Sequence, residues 1–391
     1  MPLAAADTAA TFDDTTGYLD ISPVLAAVLL ADTATLGLLG LGPPAKAINF
    51  FWNEDALNAN TVTANESAEY TATDTTLTLT AASVARIRVG ALLRDQAVGQ
   101  TEVLQVTSIS GNDCTVTRGF GSTDGQTHAA AAVYAIVGQP VQQGDSTVAD
   151  LTLARTQVTQ RCQNFKRTID IADERIAEAL NGIHPGIGDE FSAQVDRRTK
   201  EMMVELNTAV ILSIVSGAAS DTVYSSMRGL REAITASGGN TAASGVLSEE
   251  RVNRLNEDAW ADGGLPDTLL GHARQMRQFS ALHKDRVRIA ASDKRIGSYV
   301  TKFLTDLGNE LDIVVDRWMP TDEVGLLDVK GSAQGGGGGI ELCALQNREL
   351  LVEPLAKVGS SRRGQIVAAW SNRCKNATLA HGWFTGLVVP A

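Results

Sequence analysis

The stretch that decides the fold is LDIVVDRWMPTDEVGLLDV at residues 311–329, followed by EPLAKVG at 353–359 and AHGW at 380–383. In these segments, short apolar blocks are separated by Pro, Gly and Asp, a pattern that is typical of strands joined by tight turns. The segments contain no convergent set of nucleophile, base and metal ligands. They therefore predict a β-rich structural region and give no sign of catalysis.

The composition indicates more than one domain. The chain has 391 residues, of which 44% are apolar, so it is too long for one ordinary core and suggests two or three domains. Its formal net charge is −12. Because phosphate affinity is built from clustered Lys and Arg, this charge argues against a general nucleic-acid binder.

The cysteines and the N-terminal sequence indicate the cellular compartment of the protein. The four cysteines lack CxxC spacing and predict reduced, buried thiols in a cytosolic protein. The N-terminus is acidic and Thr-rich, so no signal peptide is expected. The apolar segment Pro23–Leu30 is too short to span a bilayer. The cysteines are Cys114, Cys162, Cys343 and Cys374.

The first half of the chain predicts an arm and then strands. Residues 1–50 show no strong period apart from one short amphipathic helix at Ile21–Leu30, so they are expected to form an arm that contacts a neighbour. Residues 84–140 contain about five short strands and a tight turn at Ser110-Gly111-Asn112-Asp113, which predicts a small barrel or sandwich. Strand-like sequence flanks this module on both sides.

The second half predicts helices with clear ends. A long helix is expected over 189–216, with Asp189 as its N-cap and an apolar residue at every third or fourth position. Another helix is expected to begin at Ser248 and to end at Gly263-Gly264. Between helices, Thr268-Leu269-Leu270 predicts a short buried strand.

No residue set predicts a chemical site. The five histidines lack metal-ligand spacing, and His381 is interpreted as a packed or hydrogen-bonding residue. The glycine run Gly335–Gly339 lacks the Lys and helix of a phosphate loop and predicts a flexible loop. We therefore expect no catalytic, cofactor-binding or metal-binding residues and no cofactor. The histidines are His128, His184, His272, His283 and His381.

Two charged groups favour structural interpretations. The carboxylates Asp316, Asp322 and Glu323 flank a Trp-Met-Pro turn and are interpreted as solvated rather than catalytic. The basic pairs Arg362-Arg363 and Arg373-x-Lys375 are interpreted as partners for the carboxylates of a neighbouring subunit.

The order of several motifs resembles the major capsid proteins of tailed bacteriophages, whose fold is shared in outline with encapsulins and herpesvirus capsid floors. The resemblance covers residues from about 155 to the end, more weakly those from 51, and hardly the arm. The matching motifs are Arg155-Thr156-Gln157, Lys200-Glu201, Met227-x-Gly229-Leu230, Leu247-Ser248-Glu249-Glu250, Gly263-Gly264-x-Pro266-Asp267 and the stretch from Thr305 to Trp383.

The resemblance implies an α+β protein with the tailed-phage major capsid fold. Its parts would be an N-terminal arm at 1–50, an extended loop at 51–83 and 141–168, and an inserted small β-barrel or sandwich domain at 84–140. The peripheral domain would comprise 169–217 and 348–391 with a spine helix at 189–216, and the axial domain would comprise 218–347.

The resemblance also implies the function and the partners. The protein would be structural, not an enzyme, and would assemble with itself as hexamers and pentamers into the icosahedral head that encloses double-stranded DNA. No Lys lies between Lys46 and Lys166, so the extended loop has no amine for the Lys–Asn crosslink of one branch of the family. We expect a separate scaffold protein, a portal, a decoration protein, no membrane, and assembly of the virion capsid in the bacterial host cytoplasm.

Two alternatives remain open at the level of sequence. An encapsulin-like compartment shell would copurify with protein instead of DNA. A host- or carbohydrate-binding phage surface protein, suggested by the β module, would form monomers with affinity for sugars.

Overall fold

The structure is a computed structural model, which describes residues 32–55, 57–144, 150–152, 155–177, 190–216, 224–282, 301–331, 339–357 and 359–388. The chain divides into two compact units, a larger one of residues 1–52 and 158–391 and a smaller one of 53–157. Within the described ranges, no helix has both the length and the apolar character needed to cross a membrane.

Most helices belong to the larger unit, which also contains two main sheets. The helices are α1 (Ala34–Leu38), α2 (Ala81–Val84), α3 (Asp173–Ala177), α4 (Glu190–Leu212), α5 (Leu230–Ile234), α6 (Glu249–Ala261) and α7 (Ala273–Leu282). The strands up to the end of the smaller unit are β1 (Gly40–Leu41), β2 (Asn49–Glu54), β3 (Thr61–Thr63), β4 (Thr76–Thr78), β5 (Leu92–Asp95), β6 (Val103–Ser110), β7 (Asp113–Thr117), β8 (Val133–Gly138) and β9 (Thr156–Arg161).

The remaining strands complete the larger unit. They are β10 (Gln163–Ala172), β11 (Asn240–Gly245), β12 (Thr268–Gly271), β13 (Lys302–Leu304), β14 (Glu310–Val315), β15 (Val324–Leu327), β16 (Ile340–Ala344), β17 (Leu351–Pro354), β18 (Ser361–Cys374) and β19 (Gly382–Leu387). Separately, β2 pairs with β9 in a two-stranded sheet.

In the larger unit, a five-stranded sheet includes residues from the end of the expected arm. Its order is β1-β16-β18-β10, and β17 also pairs with β18. Strand β1 runs parallel to β16, with Gly40 opposite Glu341, and Ala45 forms a further bridge with Leu345. The expected arm 1–50 is therefore attached to its own chain at Gly40, Leu41 and Ala45, and its contact with a neighbour stays a prediction. The helix expected at Ile21–Leu30 lies outside the described residues.

A six-stranded sheet in the order β11-β19-β15-β12-β14-β13 forms the centre of the larger unit. Successive residues point to opposite sides of a strand, so each strand contributes side chains to both faces of the sheet. Each face packs into a different hydrophobic core. Leu269 and Phe384 face the core that contains α6 and α7, whereas Leu270 and Trp383 face the core that contains α4 and α5. The buried strand predicted at Thr268-Leu269-Leu270 is confirmed as β12.

Strand pairing corrects the expected boundary between the peripheral and axial domains. The sequence assigns β16 to the axial domain and β19 to the peripheral domain, but β16 pairs with β18 and β19 pairs with both β11 and β15. The partners β11 and β19 are parallel, with Asn240 opposite Gly382. Strands β11 and β19 are far apart in the sequence, and no local sequence pattern predicts that they pair.

Helix α4 is the long helix expected from the sequence, and it ends earlier than predicted. Its buried residues Met202, Leu206 and Val210 recur at four-residue steps and pack against β10 and β18. The predicted end at Ser216 is four residues late. The Ser213 carbonyl accepts a hydrogen bond from Gly229 N–H at 2.7 Å instead of continuing the helix, and a Cβ at Gly229 would approach Ser213 N to 2.7 Å.

Helix α6 confirms both predicted ends. The Ser248 side chain accepts a hydrogen bond from Arg251 N–H and caps the N-terminus. The last residue of the helix is Ala261, and Gly263 follows with a φ of +90°, a left-handed conformation that glycine adopts without steric cost.

The smaller unit is built around one six-stranded sheet in the order β3-β8-β5-β6-β7-β4. Its core includes the fully buried side chains Leu77, Leu93, Leu104 and Tyr134. Because β3 and β4 belong to this sheet, the expected domain start at residue 84 is too late. A barrel is not confirmed, because the sheet is open and its end strands meet only through a bridge at Ala64–Leu79.

A buried carboxylate joins three parts of the larger unit. Asp316, at the end of β14, is fully buried. Its Oδ2 accepts hydrogen bonds from Thr35 N–H at 2.9 Å, Thr35 Oγ1 at 2.6 Å and Asn207 Nδ2 at 2.9 Å. Its Oδ1 accepts one from Trp318 N–H at 2.7 Å. Thus α1, α4 and the six-stranded sheet share one acceptor, and the interpretation of Asp316 as solvated is wrong.

We expect Asp316→Asn to destabilise the protein by about 2–4 kcal/mol, because the new amide group places a donor against donors that are already buried. Asp322→Asn is the matched control, since Asp322 is exposed, and should change the free energy of unfolding by less than about 0.5 kcal/mol. Urea unfolding followed by Trp fluorescence measures both. Equal stability of the two variants would contradict the role given to Asp316.

Candidate functional site

The other two carboxylates of the Trp-Met-Pro turn do not form a catalytic pair. Glu323 is buried, accepts a hydrogen bond from Trp383 Nε1 at 3.0 Å, and forms an ion pair with Arg231 at 2.9 Å. Asp322 is exposed. The solvated interpretation therefore holds for Asp322 and is wrong for Glu323, which fixes the turn to α5 and β19.

His381 is a buried hydrogen-bonding residue, as predicted. Its Nδ1 accepts a hydrogen bond from Asp328 N–H at 3.0 Å, and its Nε2 lies 3.2 Å from the Lys375 carbonyl oxygen. The neutral tautomer with the proton on Nε2 satisfies both contacts. Burial lowers the pKa of His381 to about 4, against the smaller opposing effects of Lys375 and Asp267. This histidine holds backbone in place and contacts no nucleophile.

Of the other histidines and the glycine run, His272 and Gly339 lie in the described part of the chain without forming a chemical site, and His128 belongs to a cluster of the smaller unit. His272 accepts a hydrogen bond from Arg274 N–H at 3.1 Å. His184, His283 and all of the glycine run except Gly339 lie outside the described residues. Within the described part of the chain, no group of three His, Cys, Asp or Glu side chains is placed to hold a metal ion.

The cysteines are confirmed as buried free thiols. Burial raises the pKa of Cys114 and of Cys162 to about 11, and that of Cys343 to about 12. Such thiols are protonated at neutral pH, so they are poor nucleophiles.

The predicted basic points are paired within their own chain. Arg363 lies 2.7 Å from Asp170, and the Arg362 guanidinium lies 4.3 Å from the centre of the Phe191 ring. Both Arg373 and Lys375 approach Glu341, at 3.7 Å and 3.0 Å. The interpretation of these residues as ion-pair partners for a neighbouring subunit is therefore corrected: they stabilise the five-stranded sheet of their own subunit.

Sequence reasoning missed a buried charged cluster in the smaller unit. Arg118 donates two hydrogen bonds to the Glu102 carboxylate, each 2.7 Å long. The ring nitrogens of His128 lie 2.8 Å from Asp95 and 3.1 Å from Glu102. Tyr70 and Tyr134 pack against the His128 ring. The cluster fixes the loop from Arg118 to His128 onto the sheet.

The cluster is structural rather than catalytic, because its charged groups are enclosed. Asp95, Glu102 and His128 are all at most 4% exposed. Burial raises the pKa of Glu102, but hydrogen bonds from Arg118, the N–H groups of Gln126 and Gly119, and His128 outweigh this effect and hold the pKa at about 2. A usable sequence signal was the placement of two acidic residues beside alternating apolar positions: Asp95 is the last residue of β5, and Glu102 directly precedes β6.

Exposed apolar side chains are the main candidate functional feature. They include side chains on the tip of the β13–β14 hairpin, after α6, on β17 and on the outer face of β8. Beside β17, a groove of about 450 Å³ is lined by Phe191, Val352, Pro354 and Leu355 with charged residues at its rim. Exposed apolar patches of this kind indicate surfaces for protein contacts.

A family comparison decides the identity. The model of the SU10 major capsid protein family matches residues 6–388. The chain belongs to this family. It is therefore a structural component of a virion capsid, and its α+β architecture is the major capsid fold.

The chain is also similar to several solved structures. The capsid protein is 10% identical to the capsid of an empty GTA particle, with a TM-score of 0.52 and coverage of 98% of this chain and 100% of that one. A structure from Mycobacterium phage Adephagia gives 13% identity, a TM-score of 0.45 and coverage of 94% and 93%. The SrpI encapsulin of Synechococcus elongatus gives 11% identity, a TM-score of 0.43 and coverage of 61% and 78%. A comparison with curated proteins gives no match.

In the capsid protein, we expect Arg118→Gln to destabilise the smaller unit by about 3–5 kcal/mol, because it leaves Glu102 buried without its cation. Hydrogen exchange of the full chain should show the loss of protection in peptides that cover residues 118–128. Arg94→Gln, which changes an exposed arginine of the same sheet, is the control and should leave exchange unchanged. Unaltered protection in Arg118→Gln would contradict the role of the cluster.

His381 should make stability depend on pH. Its folded pKa of about 4 lies below its ordinary value of 6.5, so the unfolded chain binds the proton first as the pH falls. Its contribution is complete above about pH 6.5 and declines by roughly 3 kcal/mol as the pH falls to about 4.

Melting of His381→Gln as a function of pH measures this effect. The variant should be less stable at neutral pH, because Asp328 N–H loses its acceptor, but its stability should fall less between pH 6.5 and 4. His272→Gln should keep the wild-type slope. The same slope in wild type and His381→Gln would exclude His381 as its source.

Proposed function

We propose that this capsid protein self-assembles as hexamers and pentamers into an icosahedral head that encloses double-stranded DNA. The observation that carries the proposal is the family match over residues 6–388. The acidic net charge of −12 supports enclosure of DNA without adhesion, because like charges on protein and phosphate repel.

The two compact units support a proposed domain arrangement. The larger unit would form the wall of the shell, with α4 as its spine and the six-stranded sheet as its axial part. The smaller unit would be the inserted domain carried by the extended loop. In a closed shell, the same surfaces must fit many slightly different neighbours, so a rigid sheet core is suited to the wall.

The proposed partners follow the family function. A separate scaffold protein would guide assembly, a portal would occupy one vertex, and a decoration protein would add to the outer surface. Residues 1–31 would contact a neighbouring subunit. They contain four aspartates and no Lys or Arg, so that neighbour's surface would be neutral or basic. Assembly would take place in the bacterial host cytoplasm.

Expression of the chain alone, and together with its neighbouring genes, tests the proposal by electron microscopy and sedimentation. We expect closed shells or ring-shaped capsomers in at least one of the two preparations. Nuclease-resistant DNA should be present only in particles that also contain the packaging proteins. A folded chain that remains monomeric under both conditions would contradict the proposal, and copurifying cargo protein without DNA would favour a protein compartment.

A further inference from the structure

A rigid apolar patch lies at one end of the six-stranded sheet. Asn309, in the β13–β14 hairpin, exchanges two hydrogen bonds of 3.0 Å with Asn256 of α6 and donates a third, of 2.8 Å, to the Pro266 carbonyl oxygen. Thr305 N–H donates to the Asn309 carbonyl oxygen at 3.0 Å and closes the turn. The hairpin tip, the end of α6 and the start of β12 are therefore fixed to one another.

Three large apolar side chains adjoin these bonded residues and are exposed. Trp260 is one helical turn after Asn256 and is 56% exposed, Leu307 is in the hairpin tip and is 45% exposed, and Leu265 adjoins Pro266 and is 39% exposed. We call these three residues the tryptophan patch. Exposed Trp on a rigid support is typical of residues that dominate protein interfaces, because little conformational entropy is lost on binding.

Acidic residues flank the tryptophan patch. Asp262 follows the last residue of α6, and Asp306 lies next to Leu307; both are exposed. No described residue forms an ion pair with either of them. The chemistry of the patch therefore suits a partner surface that combines apolar contact with positive charge.

Helix α7 presents such a surface. Its sequence, ARQMRQFSAL, contains two arginines and no acidic residue. Met276 and Phe279 are buried against the sheet, whereas Arg274 and Arg277 are exposed one turn apart. Among the described residues, neither arginine has an ion-pair partner. An arginine can also stack on an exposed tryptophan ring.

Within one subunit, no ion pair between described residues joins the two surfaces. The tryptophan patch is next to the first residue of β12, because Pro266 precedes Thr268, whereas α7 begins beyond the last residue, Gly271. Contact between two different surfaces on separate copies is heterologous, and its repetition closes a ring when the rotation between copies adds up to a full turn.

We propose that the tryptophan patch of one subunit binds the basic face of α7, formed by Arg274 and Arg277, on the next copy of this chain within a capsomer. This inference rests on the proposed self-assembly and specifies which residues carry it. Trp260 supplies the apolar contact, and Asp262 and Asp306 pair with the two arginines.

The yield of assembled particles from variants of one or two residues tests the contact. Trp260→Ala and the double change Arg274→Glu with Arg277→Glu should each reduce the yield of particles by at least about tenfold, the loss expected when a central interface residue is removed. Tyr224→Ala and Arg254→Glu are matched controls at other exposed positions and should assemble normally. Circular dichroism and melting temperature confirm that each variant is folded. Adding Asp306→Arg to Arg277→Glu should restore assembly.

A crosslink tests the geometry directly. Chains carrying Leu307→Cys and differently tagged chains carrying Arg277→Cys are mixed, assembled and oxidised; the native thiols are buried and do not compete. We expect disulfide dimers that contain both tags, and none when either cysteine is absent. If wild type assembles but Trp260→Ala assembles equally well and no mixed dimer forms, this contact is overturned and the capsid role remains. A wild-type chain that never assembles overturns both.

Discussion

The structure of the larger unit depends on the buried carboxylate of Asp316. Four hydrogen bonds converge on it from Thr35, Asn207 and Trp318. A buried carboxylate is stable only when its oxygens are satisfied, so these donors must remain in place together. The Trp318 indole adds a bond of 2.7 Å to the Asp32 carbonyl oxygen. The start of the described chain, at Asp32 and Thr35, is therefore attached to α4 and to the six-stranded sheet at once.

This attachment has a consequence for assembly. A capsid subunit must hold its core rigid while its contacts adapt to different neighbours. The six-stranded sheet is covered on both faces, and α4 lies against the five-stranded sheet, so the core has little freedom to deform. Charged side chains that were expected to pair with a neighbouring subunit, such as Arg363 and Lys375, form ion pairs within their own subunit. In the described part of the chain, the surface left for neighbours includes the exposed apolar side chains.

Local signals in the sequence were sufficient for the elements and their caps. The Ser248 cap, the glycine end of α6, the buried strand β12 and the long helix α4 follow from propensity and periodicity. Recognition of the family also needed only the order of short motifs. Long-range pairing was not accessible in this way: nothing near β19 indicates that it joins β11, and nothing near Gly40 indicates that it joins Glu341.

The kind of function could be predicted from the sequence, but the positions of the residues that matter for it could not. The order of family motifs pointed correctly to a structural role, whereas the burial of Asp316 and Glu323 reversed the interpretation of an acidic turn. Their partners, Thr35 and Trp383, are distant in sequence, so no local pattern distinguishes a solvated carboxylate from a buried one. The exposed residues of the tryptophan patch likewise gain meaning only once Asn256 and Asn309 bring them together.

Amide hydrogen exchange of free subunits and of assembled particles tests the central claim that a prebuilt rigid core assembles through exposed apolar surfaces. We expect the amides of Thr35 and Trp318 to be equally protected in both states, and those around Leu307 to gain protection only on assembly. Rapid exchange at Thr35 and Trp318 in the free subunit, with protection appearing only in particles, would contradict the account.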